Sequence, residues 1–216
     1  MAKTKRVERT HRGFLSKPDN FAIALEISDH FEEVRAHLQE KYWTAVKRLI
    51  ENHRSRRQFG NWEVNLADDD SGPGEKWYGI AIVPANPKSG LPYARACLQQ
   101  GEPGPGFPIS LGIIWSEETK RAEEPHLPEL HRLRKYLREK HGMTAPKDKW
   151  SIARARARYN LHDKDVLTQL TKDETIQQLQ ARELWQFFRD TRTMVERLNA
   201  RIAETRITRR RPRTSP

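Results

Sequence analysis

Four short stretches decide the fold: WEVNLA (Trp62–Ala67), KWYGIAIV (Lys76–Val83), LPYARACLQQ (Leu91–Gln100) and ISLGIIW (Ile109–Trp115). In the first, Trp62, Val64 and Leu66 alternate with Glu63, Asn65 and Ala67, the two-residue period of a half-buried strand. The second and fourth are apolar at successive positions and read as central strands. The third carries Pro92 near its start and reads as a further strand. The intervening segments have turn chemistry: Asp68–Glu75 with three Asp, Ser71, Gly72, Pro73 and Gly74, then Pro84–Gly90, then Gly101–Pro108. No helical period interrupts the series, so an antiparallel meander of about four strands is expected.

Outward from the sheet the period lengthens. Phe31, Val34, Leu38, Tyr42, Ala45 and Leu49 recur at three- and four-residue steps, one stripe of an amphipathic helix. Asp29 and Glu32 have capping-box spacing, which predicts that this helix starts at Asp29. It ends in the basic run Arg54, Arg56 and Arg57. Phe21–Ile27 fits either a strand or a buried helical turn. After Pro125, Leu130, Leu133 and Leu137 share a face. Gly142–Pro146 breaks the chain, and Trp150–Tyr159 fits no single period. A short helix follows near Asp163–Leu170. Thr171 and Glu174 form a second capping box. Beyond it Ile176, Leu179, Leu184, Phe187, Thr191, Met194, Leu198 and Ile202 keep helical spacing over roughly 30 residues, or about 45 Å. The fold class is therefore α+β: a small antiparallel sheet packed with an N-terminal helix and a long C-terminal helix. Residues 1–20 read as a flexible basic arm, 21–205 as one domain and 206–216 as an Arg-rich tail.

The net charge of +11 favours a polyanionic partner. Hydrophobic residues are 36% of the chain, and six Trp, seven Phe and five Tyr can fill a core. No stretch approaches the roughly 20 apolar residues of a membrane span, so a membrane partner is not expected. Met1–Lys17 lacks the apolar segment of a secretory signal. Cys97 is the sole cysteine, which rules out an intrachain disulfide and a Cys-based zinc site and suits a reducing cytoplasm.

The densest cationic stretch runs from Arg132 to Arg158. Arg132, Arg134, Lys135, Arg138, Lys140, Lys147, Lys149, Arg154, Arg156 and Arg158 face only Glu139 and Asp148, a net of +8 over 27 residues. Arginine suits phosphate because its planar fork donates two parallel hydrogen bonds. Trp150 and Tyr159 bracket the Ala-Arg repeat and can stack on unpaired bases. If the repeat is extended, Arg154, Arg156 and Arg158 line one side like a comb; if helical, they spread around the cylinder. Arg209, Arg210 and Arg211 add charge in the tail. The competing reading is a solvated face that keeps the protein soluble. Zinc-finger spacing and an RNA-recognition aromatic motif are both missing from the sequence, so DNA and RNA stay equally open.

Catalytic groups are weaker candidates. Asp68, Asp69 and Asp70 can hold a hard cation, but beside Gly72-Pro73-Gly74 they suit a turn. Glu118-Thr119-Lys120 follows an apolar strand, the placement used where acids hold Mg²⁺ and a lysine assists water, with Pro18-Asp19 as an upstream acid. The surrounding Glu117, Glu123 and Glu124 read instead as an acidic loop. His30 and His37 share a helix face without a third ligand. No catalytic residue, metal or cofactor is assigned.

The order of elements resembles the C-terminal module of some PD-(D/E)XK-nuclease-like proteins of bacteria and phages. The features that carry the resemblance are Phe31–Leu49, Trp62, Trp77-Tyr78-Gly79-Ile80, Leu111-Gly112-Ile113 and Ile176–Ile202, over residues 30–202. The resemblance implies a stand-alone relative of an accessory module from a phage, plasmid or defence locus. The nuclease motif has no counterpart here. The leading expectation is a non-catalytic nucleic-acid-binding accessory protein. A protein-interaction subunit, docking on a partner or on its own copy through the long C-terminal helix, is second. A metal-dependent nuclease is third.

Overall fold

The structure, a computed structural model, describes residues 13–14, 16–52, 59–67, 77–86, 93–101, 109–116, 127–145, 151–157, 159–161 and 163–210. In chain order these form α1 (Pro18–Asn52), β1 (Trp62–Ala67), β2 (Trp77–Pro84), β3 (Ala94–Gly101), β4 (Ile109–Trp115), α2 (Pro128–His141), β5 (Ser151–Arg156), α3 (Lys164–Leu170) and α4 (Thr175–Arg210). The expected basic arm is described only from its last residues, and the Asp68–Asp70 turn, Glu118 and Lys120 lie outside the described residues.

The sheet is an antiparallel meander in the order β1-β2-β3-β4-β5. It has five strands, not four. Leu66, Ile80, Leu98, Leu111 and Ala155 are register partners in succession, so one apolar row crosses all five strands on a single face. Asn65, Ala81, Cys97, Gly112 and Arg154 form the corresponding row on the other face. The first face joins the main core with residues of all four helices. The second holds a small cluster of Ala81, Val83, Cys97 and Ile114 with Tyr93 against it.

The extra strand is β5, where the register shifts between Ile113 and Ile114: Ile113 pairs with Ala153, but Ile114 pairs with Ser151. The additional residue, Ile152, enters the main core together with Ala153. Such a bulge breaks the two-residue alternation that would have marked the strand. Gly112 lets β5 come close, because a Cβ there would stand 2.4 Å from the Ala153 carbonyl oxygen.

Two helix starts differ from expectation. α1 begins at Pro18, not Asp29; Pro suits a first helical turn and Asp19 complements its dipole. Asp29 and Glu32 are simply one turn apart inside the helix, a spacing that any helix interior permits. α4 begins at Thr175, whose N–H donates to Asp173 Oδ1 at 2.9 Å. That bond, with help from the Thr175 and Gln169 side chains, holds the Asp173 carboxyl below its usual range. Thr171 instead closes α3, its hydroxyl donating to the Thr168 carbonyl.

α4 is the spine of the core. Ile176, Leu184, Phe187, Thr191, Leu198 and Ile202 are buried, as the helical spacing required, and Met194 is half-buried. Leu179 is the exception and is exposed. Phe188 and Val195 widen the stripe. Polar contacts fix its register on the sheet: Trp62 Nε1 donates to Glu196 at 2.9 Å, and Asn199 both accepts from the Ala94 N–H (2.7 Å) and donates to the Ala94 carbonyl (3.0 Å). Replacing Phe187 by Ala should cost about 3–5 kcal/mol, the usual range for emptying a buried aromatic site. Chemical denaturation reads this as a lower midpoint at unchanged slope.

Where α1 crosses α4, Tyr42 is buried and its hydroxyl has no hydrogen-bond partner among the described residues. Burial, then the nearby Glu183 and Tyr159, push its pKa well up. Glu183 accepts from buried Gln180 at 2.7 Å. Much of the Glu183 side chain meets solvent, yet partial burial of its carboxyl outweighs that bond and raises its pKa. The folded state thus holds this proton more tightly than the unfolded chain. Its contribution to stability is full below the ordinary glutamate pKa and is lost as pH rises through the raised value. Glu183→Gln should therefore melt slightly above wild type at neutral pH, and the gain should vanish under acid conditions; thermal melts across pH 4–8 check this.

Candidate nucleic-acid interface

α2 begins with Pro128 at its first turn and Glu129 beside it, and ends with Arg138, Lys140 and His141, charges that suit the helix dipole at each end. Leu130, Leu133 and Leu137 are buried against the core. Three- and four-residue spacing on that side leaves His131, Arg132, Lys135, Arg138, Glu139 and Lys140 exposed on the rest of the surface. Among these, four cations stand against one acid. Lys135 lies 4.0 Å from Glu139, an exposed pair worth a few tenths of a kcal/mol at most. The cations therefore remain available to a partner.

Gly142 takes φ +61° at the end of α2, and Met143 donates its N–H back to Leu137. The reversal lays Thr144 alongside β5. Thr144 and Arg154 exchange both backbone hydrogen bonds, at 3.1 and 2.9 Å. Arg134 is half-buried, and its Nε donates to the Ile152 carbonyl at 3.3 Å. These bonds tie α2 to β5, the two described parts of the cationic run.

β5 is extended, so Arg154 lies on the side of the strand away from Ala153, which is in the main core. Arg154 is not a free tooth of a comb. It is half-buried, with Gly112 across one side and Thr144 across the other. Arg156 stands opposite Ser110 in register. Tyr159 packs against the main core, which engages the ring that the sequence offered for stacking. Lys147, Lys149, Trp150, Arg158 and Arg211 lie outside the described residues; Arg209 and Arg210 end α4.

A further arginine belongs here. Arg95 in β3 is the register partner of Ile114, on the same sheet face as Arg154. The alternation of Arg95, Cys97 and Gln99 with Ala94, Ala96 and Leu98 was its signal in the sequence.

Beside β5 lies a cleft of about 340 Å³ lined by residues that include His141, Met143, Ala155, Glu183, Phe187 and Asp190. His141 meets the Tyr136 and Phe187 rings edge-on. Glu183 and Asp190 make this cleft a poor phosphate site and set a border to the cationic surface. No group of three His, Cys, Asp or Glu able to hold a metal occurs among the described residues. Asp19, His30 and His37 are exposed on α1, and His30 Nδ1 contacts Glu33 at 3.3 Å. No helix among the described residues is long and apolar enough to cross a membrane. Comparison of the chain with protein-family models, with curated proteins and with solved structures gives no match.

Proposed function

We propose that this protein is a non-catalytic nucleic-acid-binding accessory protein that grips the phosphate backbone through α2 and the adjoining β5. One observation carries the reading: the Arg134–Ile152 hydrogen bond and the Thr144–Arg154 bridge join the exposed cations of α2 to the arginine strand. A cationic run left as separate solvated pieces would give solubility. Fused on a rigid helix and strand, it gives a surface along which consecutive phosphates can be met. Contacts of this kind fix affinity and orientation without reading bases, so DNA and RNA are both substrates for binding. The chain's net charge of +11 supplies the long-range attraction.

The test is a triple variant, Arg132→Ala, Lys135→Ala and Arg138→Ala. All three side chains are exposed on α2, so the fold should melt as wild type. Affinity should fall for every nucleic-acid sequence tried, and the slope of log K against log salt should flatten by about 0.7–0.9 for each lost phosphate contact. Wild-type affinity and slope in this variant would remove α2 from the binding surface.

A further inference from the structure

Among the described residues, the first half of α1 carries large apolar side chains that are left exposed. Of the eight exposed large apolar side chains among the described residues, seven stand between Phe14 and Val34. Phe21, Ile23, Leu25 and Ile27 are each at least half exposed although they point to different sides of the helix. Only from Tyr42 onward is the helix buried in the core.

The apolar positions are ordered. Ala24, Ile27, Phe31, Val34 and Leu38 follow one another at alternating three- and four-residue steps, the spacing of a two-helix seam. Glu26, Glu33 and Glu40, all exposed, recur every seven residues on the side away from it. At the root of this arm, Phe31, Val34, Arg35 and Leu38 line a groove of about 600 Å³ with Leu167 and other residues of α3. Its charged lining residues are Arg35 and Lys164, both cations. The arm itself, residues 18–34, holds Asp19, Glu26, Asp29, Glu32 and Glu33 and no Lys or Arg.

We infer that the arm is the interface between two copies of this chain, paired antiparallel. In that arrangement Phe31 of one copy packs beside Val34 of the other, and Ile27 beside Leu38. In this register residues 27–34 of one copy lie along positions 31–38 of the second, where its α1–α3 groove opens, so the acidic arm meets the cationic groove. A parallel pair would set all five acids beside their counterparts, whereas this register leaves only positions 32 and 33 level with each other. The same acids oppose nucleic acid or an anionic membrane as the occupant. Of the six exposed apolar side chains of the arm, Ile27, Phe31 and Val34 lie on the seam, so a pair buries less than a standard specific interface. The dimer is accordingly concentration-dependent.

The experiment is sedimentation equilibrium of the full chain, freed of nucleic acid by nuclease and kept at high salt. Wild type should form a dimer. Ile27→Glu with Phe31→Glu should raise the dimer dissociation constant at least about a hundredfold, the effect of removing two anchor side chains. Both positions are exposed in the single chain, so melting of the monomeric variant should match the isolated wild-type chain. Oxidation gives the orientation: Ile27→Cys with Leu38→Cys should yield a disulfide-linked dimer, whereas Ile27→Cys alone should stay unlinked. Cys97 is buried and does not compete. A wild-type monomer at every concentration, a dimer indifferent to the two glutamates, or linkage of Ile27→Cys alone would each overturn the proposal.

Discussion

The burial of one stripe of α4 against one face of the sheet is the constraint on which the rest of the architecture depends. Leu184, Phe187, Phe188, Val195 and Leu198 supply the apolar contact, and hydrophobic burial alone would leave the helix free to slide. Asn199 removes that freedom. Its amide bonds both the N–H and the carbonyl of Ala94, a residue beyond the last register pair with β2, and so takes the place of a neighbouring strand. Glu196 makes a second tie, held by Arg192 Nε and reached by the Trp62 ring nitrogen. With α4 fixed, α1 and α2 have defined surfaces to pack on.

Much of this was legible in the sequence, and the failures share a cause. β1 and the stripe of α4 have clean periods because each buries one side, and β2 and β4 read as unbroken apolar runs because both of their faces are buried. β5 does not, since its bulge sends Ile152 and Ala153 into the same core and its outward positions are arginine. The start of α1 was misplaced because periodicity reports burial rather than helicity: residues 18–30 are helical but none of them joins the core formed by the described residues, so no amphipathic pattern toward the core is imposed on them. The capping signals at Asp29 and Thr171 are short and recur inside helices and at their ends. On the candidate interface, the cationic run could be read directly. That Arg154 is wedged between Gly112 and Thr144, and that Arg95 lies on the same face, depends on strand register, which composition does not carry.

Charge is distributed unevenly between the two surfaces described. The α2–β5 unit concentrates cations, while the first half of α1 concentrates acids. Under the proposed function, such a division would let the chain meet a polyanion on one side without fouling an apolar surface elsewhere. It would also set opposite salt responses for the two proposed associations: phosphate contacts weaken as counterions compete, whereas apolar association does not.

The continuity of α1 has a kinetic meaning. An isolated helix of seventeen residues without tertiary support is marginal in water, because starting a helix is costly while extending one is not. The exposed half of α1 avoids that start: Tyr42, Trp43, Val46 and Ile50, locked in the core, act as its nucleus, and the helix grows outward from them. Fraying then proceeds from the tip alone. Amide protons along α1 should therefore be ordered in their lifetimes, short at Phe21 and lengthening toward Tyr42, and one proline placed between the two halves should erase the outer helix while leaving the core folded.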